Sequence, residues 1–272
     1  MRLTTVRTDT GTRAARVEGD ELELLDASDV GEYLRDGGIA AGDDMARPAA
    51  DFALAPLVTH PGKIVCVGVN YRDHIAEMGR DVPTAPTYFA KFRQALIGAR
   101  DDIILPSPDV STHIDWEGEL TIVIGRELRH GSAREAMAAI AGFTVLNDVS
   151  VRDYQRRTTQ FLAGKTFEGM TPLGPDLVTT DEIGDGSGLA ISTEVDGVVK
   201  QSSNTSELVF NAIDIVSDLS TILTLEPGDV IATGTPGGVG AARTPPEWLR
   251  DGSVLRTTID GLGECVNTCR PG

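Results

Sequence analysis

The chain has 272 residues, 40% of them hydrophobic, and a formal net charge of −17, a composition that supports a buried core in one large or two smaller domains. So acidic a surface argues against nucleic acid and anionic membrane as partners, because both need a basic footprint, and no apolar run reaches the length of a membrane span. Three cysteines, Cys66, Cys265 and Cys269, cannot all pair within one chain, and Met1-Arg2-Leu3-Thr4-Thr5 has no secretion-signal character, so the expected compartment is reducing and is taken as the cytoplasm.

Residues 1–60 are expected to form a small N-terminal domain and residues 61–272 a larger one that carries the chemistry. Short alternations at 3–6, 16–17 and 22–25, broken by Gly11, Gly19 and Asp20, predict hairpins. Residues 26–33 predict a short helix, opened by Ser28 or Asp29 and closed by Gly37-Gly38. The apolar run 63–70 then predicts a buried strand. It leads into Tyr71-Arg72-Asp73-His74-Ile75-Ala76-Glu77. Here His74 and Glu77 stand three apart and share one side of a helical turn. A carboxylate that orients an imidazole makes a general base of it, although a His and a Glu on a surface loop would look the same. Gly79, Pro83 and Pro86 mark a segment of the kind that forms lids.

Strands are predicted at 87–92 and within 99–106. His113-x-Asp115 could open the facial triad of a non-haem iron site, but the only later histidine, His130, lies too near to close it. Along 115–124, strand alternation puts Trp116, Leu120, Ile122 and Ile124 on one face and Glu117, Glu119, Thr121 and Val123 on the other. Two carboxylates so placed belong either to a solvated face or to a site where a cation or proton neutralises them. Ser132 and Glu135 make a capping box for a helix that Gly142 closes. The short strand 143–146 follows it and ends in Asn147-Asp148. A strand-helix-strand return brings Asp148 back toward Glu117 and Glu119, and three hard oxygen ligands suit Mg2+, Mn2+ or Ca2+ rather than zinc.

Beyond Asp148, the groups Arg152, Gln155, Arg156, Arg157 and Lys165 suit an anionic substrate. Lys165 is one of only four lysines, which marks it as a placed amine, whereas a plain charged surface accounts for Arg156 and Arg157. Residues 189–200 predict a hairpin turning at Asp196-Gly197. A helix is predicted from Asn204, with Leu208, Val209, Ala212, Ile213, Val216, Leu219, Ile222 and Leu223 on its core face. Residues 225–240 return to the site without a phosphate-loop pattern.

As an ordered set, Gly68-x-Asn70-Tyr71-x-x-His74-x-x-Glu77, Asp115-Trp116-Glu117-Gly118-Glu119-Leu120, Asn147-Asp148-Val149-Ser150-Val151-Arg152-Asp153, Gly164-Lys165-Thr166-Phe167 and Pro227-Gly228-Asp229-Val230-Ile231 resembles the signature of the fumarylacetoacetate hydrolase family. The resemblance implies a mixed α+β, β-rich fold, with a β-roll or sandwich catalytic domain behind a small N-terminal domain, and a homodimer. It implies Glu117, Glu119 and Asp148 as ligands of Mg2+ or Mn2+, with Ca2+ as an option, and His74 with Glu77 as a water-activating dyad on a lid. Lys165 and Gln155 would contact substrate oxygens, and Arg152 and Thr235 would hold the carboxylate of a small oxo-acid substrate. Lys91, followed by Phe92-Arg93 where many members carry proline, is expected to lie outside the site. The favoured activity is hydrolysis of the carbon-carbon bond of a 2,4-dioxo acid of acylpyruvate or fumarylpyruvate type, because the dyad is intact and because residues 156–161 look like that branch. The alternative is an isomerase or decarboxylase of 2-oxo or 2-hydroxydiene dioic acids, including oxaloacetate, using the same metal-enolate chemistry. A non-catalytic binder of metal and oxo acid is the third.

Overall fold

A computed structural model describes residues 1–38, 42, 46–79 and 81–272. Its fold is mixed and β-rich, as the resemblance implied. Among the described residues a sheet of eleven strands runs from the N-terminal hairpins into the heart of the molecule. A second sheet of five strands packs against it.

The N-terminal segment does not stand apart from the rest. Strand Arg2–Thr8 pairs antiparallel with Thr171–Thr179, placing Leu3 opposite Leu177. Leu3, Leu25, Val30 and Tyr33 share one core cluster with Leu96, Val123, Leu146 and Leu173. Helix Val30–Arg35 starts at Asp29, whose Oδ1 accepts the Glu32 N–H, so the second of the two expected caps is the one used.

Strand Gly118–Ile124 is buried along its whole length. It lies between Ile140–Asn147 and Val230–Ala232, antiparallel to both. Leu120, Ile122 and Ile124 join the largest core cluster, while Val123 faces the cluster shared with the N-terminal segment. The solvated-face reading of this strand is therefore excluded. Trp116 departs from the expected face: the chain breaks between strands Ile114–Asp115 and Gly118–Ile124, and Trp116 packs instead in a separate cluster with Val195, Leu249 and Leu255.

Two helix boundaries also move. The Ser132–Glu135 capping box forms, but the helix is Ala133–Ala139, and Ile140-Ala141-Gly142 already belong to the next strand. Ile140 gains more from burial and strand pairing than from another helical turn. After strand Val198–Asn204, Asn204 caps only a 3-10 turn, Thr205–Glu207. The helix proper, Ala212–Ile222, begins at Asn211, whose side chain and that of Asp214 form a second capping box. Leu208 is buried outside the helix and Ile222 is 58% exposed rather than core. The hairpin turning at Asp196-Gly197 forms as expected, with both residues at positive φ.

Gly118 marks where the two sheets touch. A Cβ there would stand 2.3 Å from Oγ1 of Thr193 and 2.9 Å from Cγ2 of Thr257, both on the five-stranded sheet. Gly118→Ala is expected to force the sheets apart at the residue between Glu117 and Glu119. Overpacking of this kind costs about 1–3 kcal/mol, or roughly 3–10 °C in Tm for a chain of this size. Thermal unfolding and a Mn2+ titration check it: a variant with unchanged Tm and unchanged Mn2+ affinity would show that the contact is not tight.

Candidate active site

The acidic cluster follows from strand register. Gly118 lies opposite Asn147 in the antiparallel pair, so Glu117 and Asp148 are the next opposed residues, joined by a 2.8 Å bond from the Asp148 N–H to the Glu117 carbonyl. Opposed residues share a face, and so do Glu117 and Glu119, two apart. Their carboxylate oxygens, with one from Asp148, all lie within 4.8 Å of one another. All three residues are buried, at 6%, 1% and 0% exposure for Glu117, Glu119 and Asp148.

Cations surround them unevenly. Lys165 Nζ reaches Glu117 Oε2 at 2.5 Å and Asp148 Oδ2 at 2.7 Å. Arg152 Nη1 pairs with Glu117 Oε1 at 2.6 Å, and its Nε donates to Asp115 Oδ2 at 2.7 Å. Lys91 Nζ pairs with Asp148 Oδ1. No lysine or arginine among the described residues pairs with Glu119, whose Oε2 accepts only the Gly234 N–H, at 2.7 Å. Burial pushes Glu117 up, but the Lys165 and Arg152 charges outweigh it and hold its carboxyl well below the usual range. Burial, reinforced by the charges of Asp148 and Glu117, pushes Glu119 well above that range. Burial opposes the Lys165 ammonium, yet Asp148 and Glu117 hold its pKa above the ordinary lysine value.

A divalent metal fits this arrangement. Two oxygens bound to one Mg2+ or Mn2+ at about 2.0–2.2 Å stand no more than about 4.4 Å apart, and Ca2+ spans somewhat more, so the 4.8 Å cluster needs little adjustment. Four buried acids, Asp115, Glu117, Glu119 and Asp148, face three buried bases, Lys91, Arg152 and Lys165. A divalent cation turns that deficit into a net positive charge of one, which favours an anionic ligand. It also offsets the repulsion from Asp148 and Glu117 that raises the Glu119 pKa.

Helix Arg72–Glu77 brings in the imidazole. His74 Nδ1 lies 3.0 Å from Glu77 Oε2, and Glu77 Oε1 accepts the Gly238 N–H, also at 3.0 Å. A carboxylate only accepts hydrogen bonds, so the imidazole proton sits on Nδ1 and Nε2 is left free. Tyr71 and Ile75 pin the helix to the core. Asn70 ties its start to the carbonyls of Phe210 and Thr233. Of the expected lid, Arg80 lies outside the described residues.

His74, Glu77, Glu117, Glu119, Arg152, Gln155, Lys165 and Thr235 line one cavity of about 600 Å³, within the size range of small-molecule sites. Each residue expected in the site is thus on its wall, except Asp148, which lies behind it and is fully buried. Arg152 bonds to Gln155 Oε1 as well as to the two acids. The Thr235 hydroxyl donates to the Gly118 carbonyl and accepts from Gln201 Nε2. Lys165 reaches inward because Gly164 lets its helix lie against the preceding one: a Cβ there would be 2.3 Å from the Gln155 nitrogen.

Lys91 corrects an expectation. Its side chain is fully buried on Asp148, so the missing proline after it does not displace it. Asp115 was read only as part of a motif, yet it is the hub that holds Arg152 and the N–H groups of Gly240 and Ala241. Asn147 and Gln201 were missed. They satisfy the backbone N–H groups of Glu117 and Gly118 and so hold the ligand strand in place. His113 packs edge-on against Trp248 and takes no part. The three cysteines are unpaired and buried, and burial pushes the Cys265 and Cys269 thiols up to about 12, which keeps them inert.

Residues 63–270 match the family described as "Fumarylacetoacetate (FAA) hydrolase C-terminal". The chain is 48% identical over 215 residues to "Oxaloacetate tautomerase Fahd2a, mitochondrial" of Rattus norvegicus, covering 79% of this chain and 68% of that protein. Among solved structures it resembles a fumarylacetoacetate hydrolase from Exiguobacterium antarcticum, with a TM-score of 0.91 at 32% identity over the whole of both chains. It also resembles a 5-carboxymethyl-2-hydroxymuconate delta-isomerase from Mycobacterium smegmatis, with a TM-score of 0.85 at 34% identity, again over the whole of both. The name of the rat relative overturns the cytoplasmic expectation: unpaired cysteines report a reducing environment and not which one. On the match across residues 63–270 and on this identity, the chain belongs to the fumarylacetoacetate hydrolase family.

Proposed function

We propose that this protein is a metal-dependent enzyme that moves a proton between carbon and oxygen of a 2-oxo dioic acid, interconverting keto and enol forms, with oxaloacetate as the lead substrate. The observation that carries this reading is one cavity whose wall brings Glu117 and Glu119 of a buried carboxylate triad together with an ammonium held protonated and an imidazole with a free Nε2. Proton transfer needs these parts and no nucleophilic water. The names of the rat tautomerase and the mycobacterial isomerase support it over hydrolysis.

Glu117, Glu119 and Asp148 would hold the divalent metal, which when bound supplies Lewis-acid stabilisation of an enolate oxygen. Arg152, fixed by Asp115, locks Glu117 in its ligating orientation. In the keto-to-enol direction, His74 Nε2 takes the proton from the carbon next to the carbonyl as that C–H bond breaks and the carbon-carbon double bond forms. Glu77 accepts the Nδ1–H bond and stabilises the imidazolium. Lys165 faces the oxygen on which negative charge develops and donates a hydrogen bond to it, and return of the proton from the His74 imidazolium to that oxygen completes the enol and restores the neutral imidazole. Gly238 holds Glu77 in place through its N–H.

Purified protein with Mn2+ or Mg2+ is expected to speed the decay of enol-oxaloacetate absorbance. His74→Ala should lower that rate by about two to four orders of magnitude, as for a lost general base, and leave the Mn2+ dissociation constant within about threefold, since His74 is not a ligand. A His74→Ala enzyme that still tautomerises at full rate would remove the imidazole from the mechanism. Acylpyruvate hydrolysis is the second reading, favoured by the assembled His74–Glu77 pair, which could activate water as well. Release of acetate and pyruvate from acetylpyruvate, faster than oxaloacetate turnover, would establish it instead.

A further inference from the structure

The single helical turn Arg152–Gln155 and its C-cap residue Arg156 set three side chains toward the cavity. Positions 152, 155 and 156 are spaced i, i+3 and i+4 and share one side, and Arg152, Gln155 and Arg156 all line the pocket. The neighbouring residues turn away: the Arg157 guanidinium lies 3.3 Å from the Tyr154 ring centroid, and Tyr154 packs edge-on against Phe167. The arginine pair is thus split, with one member stacked on the protein and the other facing the pocket.

Three cations line that pocket, and two of them are already engaged. Arg152 binds Asp115 and Glu117, and Lys165 binds Glu117 and Asp148. Arg156 differs. Its backbone N–H closes the turn onto the Arg152 carbonyl at 3.1 Å, but among the described residues its guanidinium has no hydrogen bond and no ion pair. In a chain with 41 acidic and 24 basic residues, acidic partners are plentiful, so an arginine left unpaired on a pocket wall is informative. The same cavity is also lined by the uncharged Thr158, Phe161, Ala241 and Ala242.

We propose that Arg156 binds a second carboxylate at the far end of the substrate and so selects dioic over monocarboxylic acids. A guanidinium presents a planar fork of donors that matches a carboxylate two bonds at a time, which an ammonium cannot do. The substrate then spans the cavity, with its oxo-acid end at the carboxylate triad and its distal carboxylate on Arg156. This rests on the proposed handling of an oxo acid at the triad. It adds the residue that reads the other end.

The test compares two unreactive acids with the same 2-hydroxy-acid end, L-malate and L-lactate, which differ in the distal carboxylate. Calorimetric titration of the full-length protein with Mn2+ present should show malate binding at least about 30-fold more tightly than lactate. Arg156→Ala should bring that ratio to within about threefold of unity. Arg156→Lys, which keeps the charge and loses the fork, should fall between. Arg157→Ala should preserve the wild-type ratio. Arg156 is exposed, so these variants should unfold at the wild-type Tm. A wild-type protein without preference for malate, or a ratio that survives Arg156→Ala, overturns the proposal, as does an equal collapse in Arg157→Ala. The oxaloacetate enol assay separates the two readings. Arg156-dependent malate binding without tautomerisation keeps the dioic-acid pocket and removes the reaction, whereas tautomerisation with a ratio indifferent to Arg156 does the reverse.

Discussion

Glu119→Gln is expected to make the metal-free protein more stable while abolishing the enzyme. Glu119 is almost wholly buried, sits beside Asp148 and Glu117, and is the one member of the triad that no ammonium or guanidinium among the described residues reaches. Burial and those two charges raise its pKa well above normal, so without metal the folded protein keeps a proton that the unfolded chain gives up at the ordinary carboxylate value. The stability this contributes is complete below that ordinary value. It is lost as pH rises toward the folded pKa, at about 1.4 kcal/mol per pH unit. Glutamine keeps the shape and the acceptor for the Gly234 N–H without titrating. In chelator, the Tm of Glu119→Gln should therefore exceed that of wild type by a margin that opens above about pH 5 and widens toward neutrality. With Mn2+ the order should reverse, because metal binding stabilises only the wild type. Turnover should fall about a thousandfold or more through loss of the metal's charge stabilisation. Equal Mn2+ stabilisation of both proteins would remove Glu119 from the ligand set.

The triad was legible in the sequence because two local rules and one connection define it. Alternation placed Glu117 and Glu119 on one face, and a return through a capped helix brought a strand ending in Asp148 alongside. The Gly118–Asn147 register then set Asp148 opposite Glu117. What escaped were choices made by tertiary contact. Lys91 follows strand Thr87–Ala90, and nothing local says whether its amine turns to solvent or onto Asp148. Asn147 and Gln201 are neutral amides whose value lies only in the backbone groups they meet. Gly142 looked like a helix stop, yet a Cβ there would stand 2.1 Å from the Val178 carbonyl, so it is glycine for the sake of strand packing. Likewise the hairpins of residues 1–60 were visible, whereas their joining of the central sheet depends on the pairing of Arg2–Thr8 with Thr171–Thr179, more than 160 residues away.

Lys165→Met separates charge balance from catalysis, because its effects on the metal and on turnover should run in opposite directions. The ammonium is 2% exposed and lies between Glu117 Oε2 and Asp148 Oδ2, on two of the three carboxylates that would hold the metal. Methionine fills similar volume and leaves both carboxylates without that cation. Breaking a buried pair in this way costs about 3–5 kcal/mol, so the metal-free variant should melt well below wild type. The same loss frees the two carboxylates for metal, and the Mn2+ dissociation constant should fall. Turnover should nevertheless drop by about two to three orders of magnitude, since the donor aimed at the developing enolate oxygen is gone. Asp148 and Glu117 hold the Lys165 pKa above the ordinary lysine value, so the stability it contributes is fully present below that value and is lost only as pH rises through the raised one. Lys165 therefore stays charged across any assay near neutrality, and an alkaline limb in the wild-type rate profile belongs to another group. A Lys165→Met enzyme with weaker Mn2+ binding would mean that the ammonium organises the carboxylates more than it competes for them. One that retains more than about a tenth of the wild-type rate would mean that the enolate charge is carried by the metal without it.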